Sequence, residues 1–526
     1  MNLLSSLNIS AGALSVNEKA ISVVSHNVSN MNTEGYHKQR ANLQARNIAG
    51  QIGDNPDNQV RANGGVKIAN IMRYNDDYLN NYYRDQLSKK NMLEQQLGNL
   101  QDLAKVFDDL DGTGIDAALS DFYEALNNLN EYPASSSARA NFIETSKTLT
   151  NMLNSKSEQL KGLTGDALGD GTSAEALESS RINAQYKALN TSLEELAQVN
   201  KALQTTQTGT LTANNLLDQR DLILSDIAQY VDITVDEKPN GSVNVYTGNV
   251  SLVKGSVVTG SLGIMTKAEF QKQYPDMPEP TEAAVVSILN EKGEVIVPNA
   301  NGDITGGALG GLIHSGTDIE DDGTINPVSV QNSLNTLASA IANIFNDLNT
   351  NSKAFCIDPS NTSHLKETNE NNKIFVGGAS GEEDVTAANI RLADNLLTAD
   401  GIWNLSCAYF DDLSDYDINA VGNSNNVQKM LGTRNQKQDA LNGMSVEDYY
   451  SSLVGKIAAA GGSAQTQYET QSDVVDSINN QLDSAYGVDL NEELVDLVKY
   501  QTAYAAAAQV FNVVNSCLDT LMSLGR

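Results

Sequence analysis

The stretch that most constrains this chain is its last one, Leu490 to Leu521, reading LNEELVDLVKYQTAYAAAAQVFNVVNSCLDTL. Apolar or small side chains return at alternating steps of four and three, through Leu490, Leu494, Leu497, Tyr504, Ala508, Phe511, Leu518 and Leu521. Only Gln501 and Asn515 interrupt the seam. That rhythm specifies a coiled-coil helix sustained over several turns. Ala505 to Ala508 favour helix and are small enough to admit a second helix closely. A lone amphipathic helix is marginal in water, because its stripe has nothing to bury against. The segment therefore requires a partner.

A candidate partner stands at the opposite end. Leu4, Leu7, Ala11, Leu14, Ile21 and Val28 follow the same three-four rhythm, with Leu3 and Val24 widening the stripe and Glu18 and Ser25 weakening it. Pairing the two ends sets Leu4, Leu7, Leu14, Ile21 and Val28 against Leu494, Leu497, Tyr504, Phe511 and Leu518. Leu521 extends the seam, and Gln501 and Asn515 set its register at some cost in stability. These are the expected assembly-interface residues. An ordinary core helix at each end is the alternative. After the first helix, Asn27, Asn30 and Asn32 favour a helix stop, and Gly35 suits the positive-φ position that closes it. Tyr36 then opens an extended, polar arm.

Charge and composition exclude several classes of function. The 526 residues carry 34 basic and 66 acidic side chains, a net charge of −32. No basic stripe is present to release counterions from phosphate, so nucleic acid is not an expected partner. The same acidity argues against an anionic membrane surface, and no window approaches the ~20 apolar residues of a spanning helix. The N-terminus lacks a basic leader and a continuous apolar run, so no ordinary secretory signal is expected. Cys356, Cys407 and Cys517 are too widely spaced for a disulfide framework or a zinc cluster. His26, His37, His314 and His364 are scattered, with no HExxH pairing.

Between the ends, helical periodicity runs from about Tyr74 to Phe107, Ile115 to Leu129, Ala134 to Leu160, and Ile182 to Val231 with a break near Gly209. Tyr132-Pro133 stops the second of these. From Ile233 the period becomes alternating, and Asn240-Gly241 and Lys292-Gly293 read as hairpin turns. The fold class expected is mainly α with a β insertion: a terminal N/C-helix coiled coil, an elongated helical-bundle body and an inserted β-rich domain. Its organisation is a terminal helix and motif over 1–40, helical body over 41–232, β-rich insert over 233–326 and a returning helix over 327–349. A small mixed insert over 350–424, the last of the body over 425–486 and the C-terminal helix over 487–526 complete it.

No chemistry is selected by this pattern. The glycines of 306–311 lack the Gly-Lys-Ser/Thr of a phosphate cradle, so a tight turn where backbones approach is expected. Asp318, Glu320 and Asp322 only partly match a calcium loop, because Ser329 stands where a bidentate glutamate belongs. No nucleophile elbow or catalytic cysteine signature occurs. Neither catalysis, a metal nor a cofactor is expected.

Two motifs give the chain a family resemblance. Asn27-Val28-Ser29-Asn30, followed by Asn32-Thr33-Glu34-Gly35-Tyr36 and Gln39, resembles the N-terminal signature of flagellar axial proteins of the rod, hook and hook-associated group. Gly487-Val488-Asp489-Leu490-Asn491-Glu492-Glu493 with Tyr500-Gln501-Thr502-Ala503-Tyr504 resembles their C-terminal signature. Lys38 stands where the family usually has arginine and Asn491 where it often has aspartate; neither alters the apolar seam. Inside the chain, Phe122-Tyr123, Pro133, Arg139 and Leu216-Leu217-Asp218-Gln219-Arg220-Asp221 resemble the helical body of the hook-associated members.

The resemblance makes Asn27, Asn30, Gly35, Tyr36 and Gln39 the axial-motif residues. It implies a structural part of the flagellum at the junction between hook and filament, built as a ring or tube of identical subunits. The partners it implies are the hook protein, a second hook-filament junction protein and an export chaperone on the C-terminal helix. The implied location is the extracellular flagellum, reached by leaderless export through the flagellar type III apparatus. Another axial protein, such as the second junction protein or a distal hook element, is the alternative within the group. A secreted adhesin or enzyme with axial-type ends is the alternative outside it.

Overall fold

In the computed structural model, which describes residues 3–47, 63–108, 113–317, 324–381 and 383–524, helix α1 (Leu3–Ser29) leads through a polar turn into a long antiparallel hairpin, β1 (Gln39–Asn47) and β2 (Asn63–Arg73). Periodicity marks only the first arm as extended. A bulge inserts Ala69 opposite the Asn42–Leu43 step, which lets Ile68 and Ile71, three apart, both face the core beside α1.

The body begins with α2 (Asp77–Phe107), started by the Asp76 side chain accepting from Leu79 N. There follow α3 (Gly114–Glu131), α4 (Ser136–Leu168), α5 (Ala174–Ser179), α6 (Arg181–Thr205) and α7 (Leu211–Tyr230). Helix α4 continues well past Leu160, until Gly169 at φ +80° ends it. Then come β3 (Thr234–Glu237), β4 (Val243–Thr247), β5 (Val250–Lys254) and β6 (Val257–Val258), paired in that order in one antiparallel sheet. A second sheet joins β7 (Ser261–Thr266), β8 (Ala284–Leu289) and β9 (Val295–Val297), with α8 (Lys267–Gln273) after β7. Gly241 and Gly293, both at positive φ, make the expected turns.

These sheets share a core with the helices. Val243, Val245, Leu252 and Val286 are buried in one cluster with Leu189, Leu196, Leu224 and Ile227. Asn200 clamps the contact: its Nδ2 donates to Val243 O (2.9 Å) and Gly255 O (2.7 Å), and its Oδ1 accepts from Val243 N (2.9 Å).

The glycine-rich segment forms a helix, α9 (Gly307–Gly316), rather than a turn. The close backbone approach is nonetheless real. A Cβ on Gly311 would stand 2.6 Å from Met92 O of α2, so only a bare backbone fits. The possible calcium loop at Asp318, Glu320 and Asp322 lies outside the described residues.

Helix α10 (Pro327–Asn349) follows an Asn326–Ser329 capping box. Beyond it β10 (Ala354–Asp358), β11 (Asn361–Glu367) and the later β14 (Ala408–Tyr409) form a small sheet over Phe355, Ile357, Leu365 and Phe410. The intervening hairpin, β12 (Phe375–Gly377) and β13 (Ile390–Leu392), enters the main helical core, where Phe375, Phe345 and Phe122 meet as an aromatic cluster. Arg139, fully buried, ties this insert to α4 by donating to Leu405 O (2.8 Å), Ile402 O (3.1 Å) and Pro133 O (2.7 Å).

Short α11 (Asn425–Gly432) precedes α12 (Val446–Tyr486), whose 41 residues span about 60 Å. It runs along α2, with Gln471 Nε2 donating to Gln86 O at 2.9 Å, and delivers α13 (Leu490–Leu524) to the side of α1. The architecture is mainly α with a β insertion.

Replacing Gly311 with valine should push α9 off α2. We expect a loss of about 1–3 kcal/mol, read as a lower thermal midpoint for the body. An unchanged midpoint would refute the close contact.

Candidate functional site

The motifs at the two ends and the 216–221 segment meet in one polar joint. Its centre is Asn27. The Oδ1 of Asn27 accepts from Tyr36 OH (2.7 Å) and Gln39 N (3.1 Å), and its Nδ2 donates to Gln39 O (2.8 Å). The side chain thus pairs with the first residue of β1 as another strand would. Asn30 Nδ2 donates to His26 O (2.8 Å), closing the last turn of α1, and Gly35 takes φ +72° in the turn beyond. Gln39, buried, accepts at Oε1 from Asn214 Nδ2 (2.9 Å) and donates to Asn215 Oδ1 (3.2 Å) on α7. All five axial-motif residues therefore act within one turn.

Beneath this turn lies a buried charge network. Arg73 Nε contacts Asp218 (2.7 Å) and Arg73 Nη2 contacts Asp221 (2.7 Å). Arg84 (3.1 Å) and Arg220 (2.8 Å) share Asp221 Oδ1. Burial alone would raise the Asp221 carboxyl, but Arg220, Arg73 and Arg84 hold it well below the usual carboxylate range. His37 Nδ1 lies 3.1 Å from Asp218 Oδ1, and its ring stacks on Tyr486 at 4.5 Å. The Tyr486 hydroxyl, pushed up to about 12 by burial, bridges the N and O of Asp76. Three buried atoms here have no partner among the described residues: His37 Nε2, Arg84 Nε and Asp218 Oδ2.

The C-terminal signature closes the joint. Lys38 N donates to Tyr486 O (2.8 Å), and Lys38 Nζ pairs with Glu492 and, at 3.7 Å, with Glu493. Lysine at this position therefore has its own carboxylates. Sequence reasoning missed His37, Arg73, Arg84 and the Glu492–Glu493 pair as site residues. Buried charge is invisible locally, because partners such as Arg73 and Asp218, Arg84 and Asp221, or Lys38 and Glu492 come from segments more than a hundred residues apart.

The two end helices pack side by side, and the expected interface residues differ in how far they are covered. On α1 the buried residues are Ser10, Val16, Asn17, Ala20, Val23, Val24 and Asn27, whereas Leu7, Leu14, Ile21 and Val28 are half-buried and Leu4 is 58% exposed. Asn27, tied to Gln39 of β1, holds residues 24, 20 and 16 on the same inward side. On α13 Tyr500 and Val514 are buried and Leu497, Phe511 and Leu518 half-buried. Gln501, Tyr504 and Leu521 face outward. Ile21 and Leu497 join the small core of Ala20, Val23, Val24, Ala41 and Tyr500. Left in the open are Leu494 (46% exposed), Val498 (62%), Val513 (64%) and Met522 (77%).

Nothing in this site selects a reaction. Among the described residues no cluster of three His, Cys, Asp or Glu is placed to hold a metal, and no helix is long and apolar enough to cross a membrane.

Comparison with known proteins agrees with the geometry at both ends and in the body. Residues 7–37 match the flagella basal body rod protein family, and residues 484–524 match the flagellar basal body rod FlgEFG protein C-terminal family. Residues 100–353 match the flagellar hook-associated protein FlgK helical domain. Flagellar hook-associated protein 1 of Bacillus subtilis (strain 168) is 26% identical over 523 residues, covering 97% of this chain and 96% of the relative. That of Escherichia coli (strain K12) is 22% identical over 580 residues, covering 98% and 99%. The solved flagellar hook junction protein FlgK from Burkholderia pseudomallei shares the fold, with a TM-score of 0.56 and 14% identity over 77% of this chain and all of the other.

Paired terminal helices with rod-type motifs at both ends define a flagellar axial protein, a structural part of the bacterial flagellum. With the hook-associated helical body between them, the chain is similar along nearly its whole length to flagellar hook-associated protein 1, and its role is structural.

The buried network makes the joint sensitive to acid. Asp221, depressed in the folded state, contributes stability that is fully present above its unfolded value near 4 and lost as pH falls toward the folded one. Glu493, raised by burial, acts in the opposite sense, since its ionised form is the costly one. We expect the joint to hold from neutral pH to about 5 and to loosen below about 4, monitored by hydrogen exchange in 31–39. Asp221→Asn should cost about 3–5 kcal/mol by leaving arginines buried and unpaired, and should flatten that acid response. A variant with unchanged stability and pH profile would refute the role given to Asp221.

Proposed function

We propose that the chain forms the junction between hook and filament, as a ring or tube of identical subunits joined through α1 and α13. The observation that carries this reading is the apolar face left open on the paired end helices, including Leu494, Val498 and Val513. Each such side chain gains about 1.5–3 kcal/mol when fully buried, and a soluble monomer rarely leaves so continuous a strip in water. Burial by neighbouring copies supplies the missing cover. The assembly-interface residues are then Leu4, Leu7, Leu14, Ile21 and Val28 on one helix. On the other they are Leu494, Leu497, Gln501, Tyr504, Phe511, Leu518 and Leu521.

On this reading the hook protein lies on one side of the ring and a second junction protein on the other. Export through the flagellar type III apparatus carries the chain outside the cell, and a chaperone covers α13 beforehand. The same exposed strip supports the chaperone, because an uncovered one would drive association in the cytoplasm. Ordering of the ends is coupled to assembly.

The test is to place a charge on the open strip without touching the fold. Leu494→Asp with Val498→Asp, both exposed in the monomer, should leave thermal unfolding of the body unchanged and abolish incorporation into flagella. Cells should then carry hooks without filaments and shed flagellin. Normal swimming in this strain would end the proposal. In the isolated chain, amide exchange should be fast along 3–29 and 490–524 and slow on assembly; strong protection in the monomer would contradict the coupling.

A further inference from the structure

A cleft of about 670 Å³ opens beside the joint, between the turn at 31–37, α2, α7 and the end of α12. Glu34, Glu94, Asp226 and Asp483 line it, together with Asp221. Its cations are Lys90 and Arg84, and Arg84 is committed to Asp221. The Asp226 carboxyl is raised, first by burial and then by Glu34 and Glu195. Tyr83 is raised likewise, by burial and then by Glu34, Asp476 and Asp483. The potential in the cleft is therefore negative.

A second observation is independent of charge. His37 and Arg84, 7% and 6% exposed, both line this cleft, and His37 Nε2 and Arg84 Nε lack hydrogen-bond partners among the described residues. Buried polar atoms ordinarily have partners. Unmet groups within, under a negative rim, suit a polypeptide segment that brings a cation for the rim and backbone amides for the interior.

The basic part of this acidic chain is its N-terminal portion. Residues 1–73 hold more basic than acidic side chains, although the whole chain is at −32. Arg40, Arg46 and Lys67 stand exposed on the β1–β2 hairpin. Lys67 lies six residues along β2 from Arg73, about 20 Å from the joint at ~3.4 Å per residue. It is thus carried away from the joint.

We propose that in the assembled ring the Arg46–Lys67 face of one copy's hairpin docks in the acidic cleft beside the joint of the next copy. This rests on the self-assembly reading above and gives it a direction: the contact is head-to-tail, between two different surfaces, as a closed ring requires. Contact between opposite charges also fixes register and rejects wrong encounters.

The test uses full-length chains in flagellated cells, with exposed Cys517 replaced by serine. One chain carries Lys67→Cys, a second carries Glu34→Cys, and both are expressed together. Oxidation of isolated flagella should yield disulfide-linked dimers only when both chains are present. Normal incorporation without any dimer would overturn the docking. In a separate arm, Arg46→Glu with Lys67→Glu should lose incorporation, and Glu34→Lys with Asp226→Lys should restore it. Failure of the swap to restore incorporation would also overturn the docking. Absence of the unsubstituted chain from flagella would instead overturn the proposed function, so the two failures are distinguishable.

Discussion

One amide side chain governs how the ends of this molecule are arranged. Asn27 sits in the last turns of α1 and bonds both the N and the O of Gln39. A helix so tied cannot rotate about its axis without leaving a strand terminus unpaired in a buried place, which is costly. The rotation in turn decides which residues of α1 are buried and which stay outside. Small residues such as Ala20 and Val24 turn inward and allow close packing, while Leu4 and its neighbours remain available. The apolar stripe is thus divided between the fold and the surface by a polar contact.

The charge network beneath Asn27 works by a related principle. Taking Arg73, Arg84, Arg220, Asp218 and Asp221 out of water is expensive, and well-packed apolar residues often serve stability as well or better. What such a network adds is directional matching of β2, α2 and α7. It lies where the end helices join the body, so it holds the angle between them. The acidic surplus lies almost wholly on the body, since the segments 1–73 and 490–526 together carry nearly balanced charge. Balanced ends can pack closely against copies of themselves, whereas the bodies repel.

The interior was partly legible beforehand. Helix periodicity placed α3 and α10 closely, and Asn240-Gly241 and Lys292-Gly293 marked the turns, because these signals are local. The glycine run at 306–311 was legible as a close approach but not as a helix, since the reason for its glycines is Met92 O on another helix. The insert around 350–424 carried little pattern. Its strands are short, and apolar residues such as Phe375, Ile390 and Leu392 are buried in one cluster with Phe122 and Phe345 from the helical core.

By itself the sequence determined that both ends are amphipathic helices needing partners, that a β-rich passage interrupts a helical body, and that Asn27, Gly35, Tyr36 and Gln39 form a motif. The first two follow from spacing and residue type within a few turns of chain, and the motif from its resemblance to the axial-protein signature. Only the tertiary structure decided which face of each end helix is buried, and that Arg73, Arg84 and His37 converge on the 218–221 carboxylates. Those choices turn on contacts between segments far apart in sequence, where one hydrogen-bonded asparagine outweighs the position of several leucines.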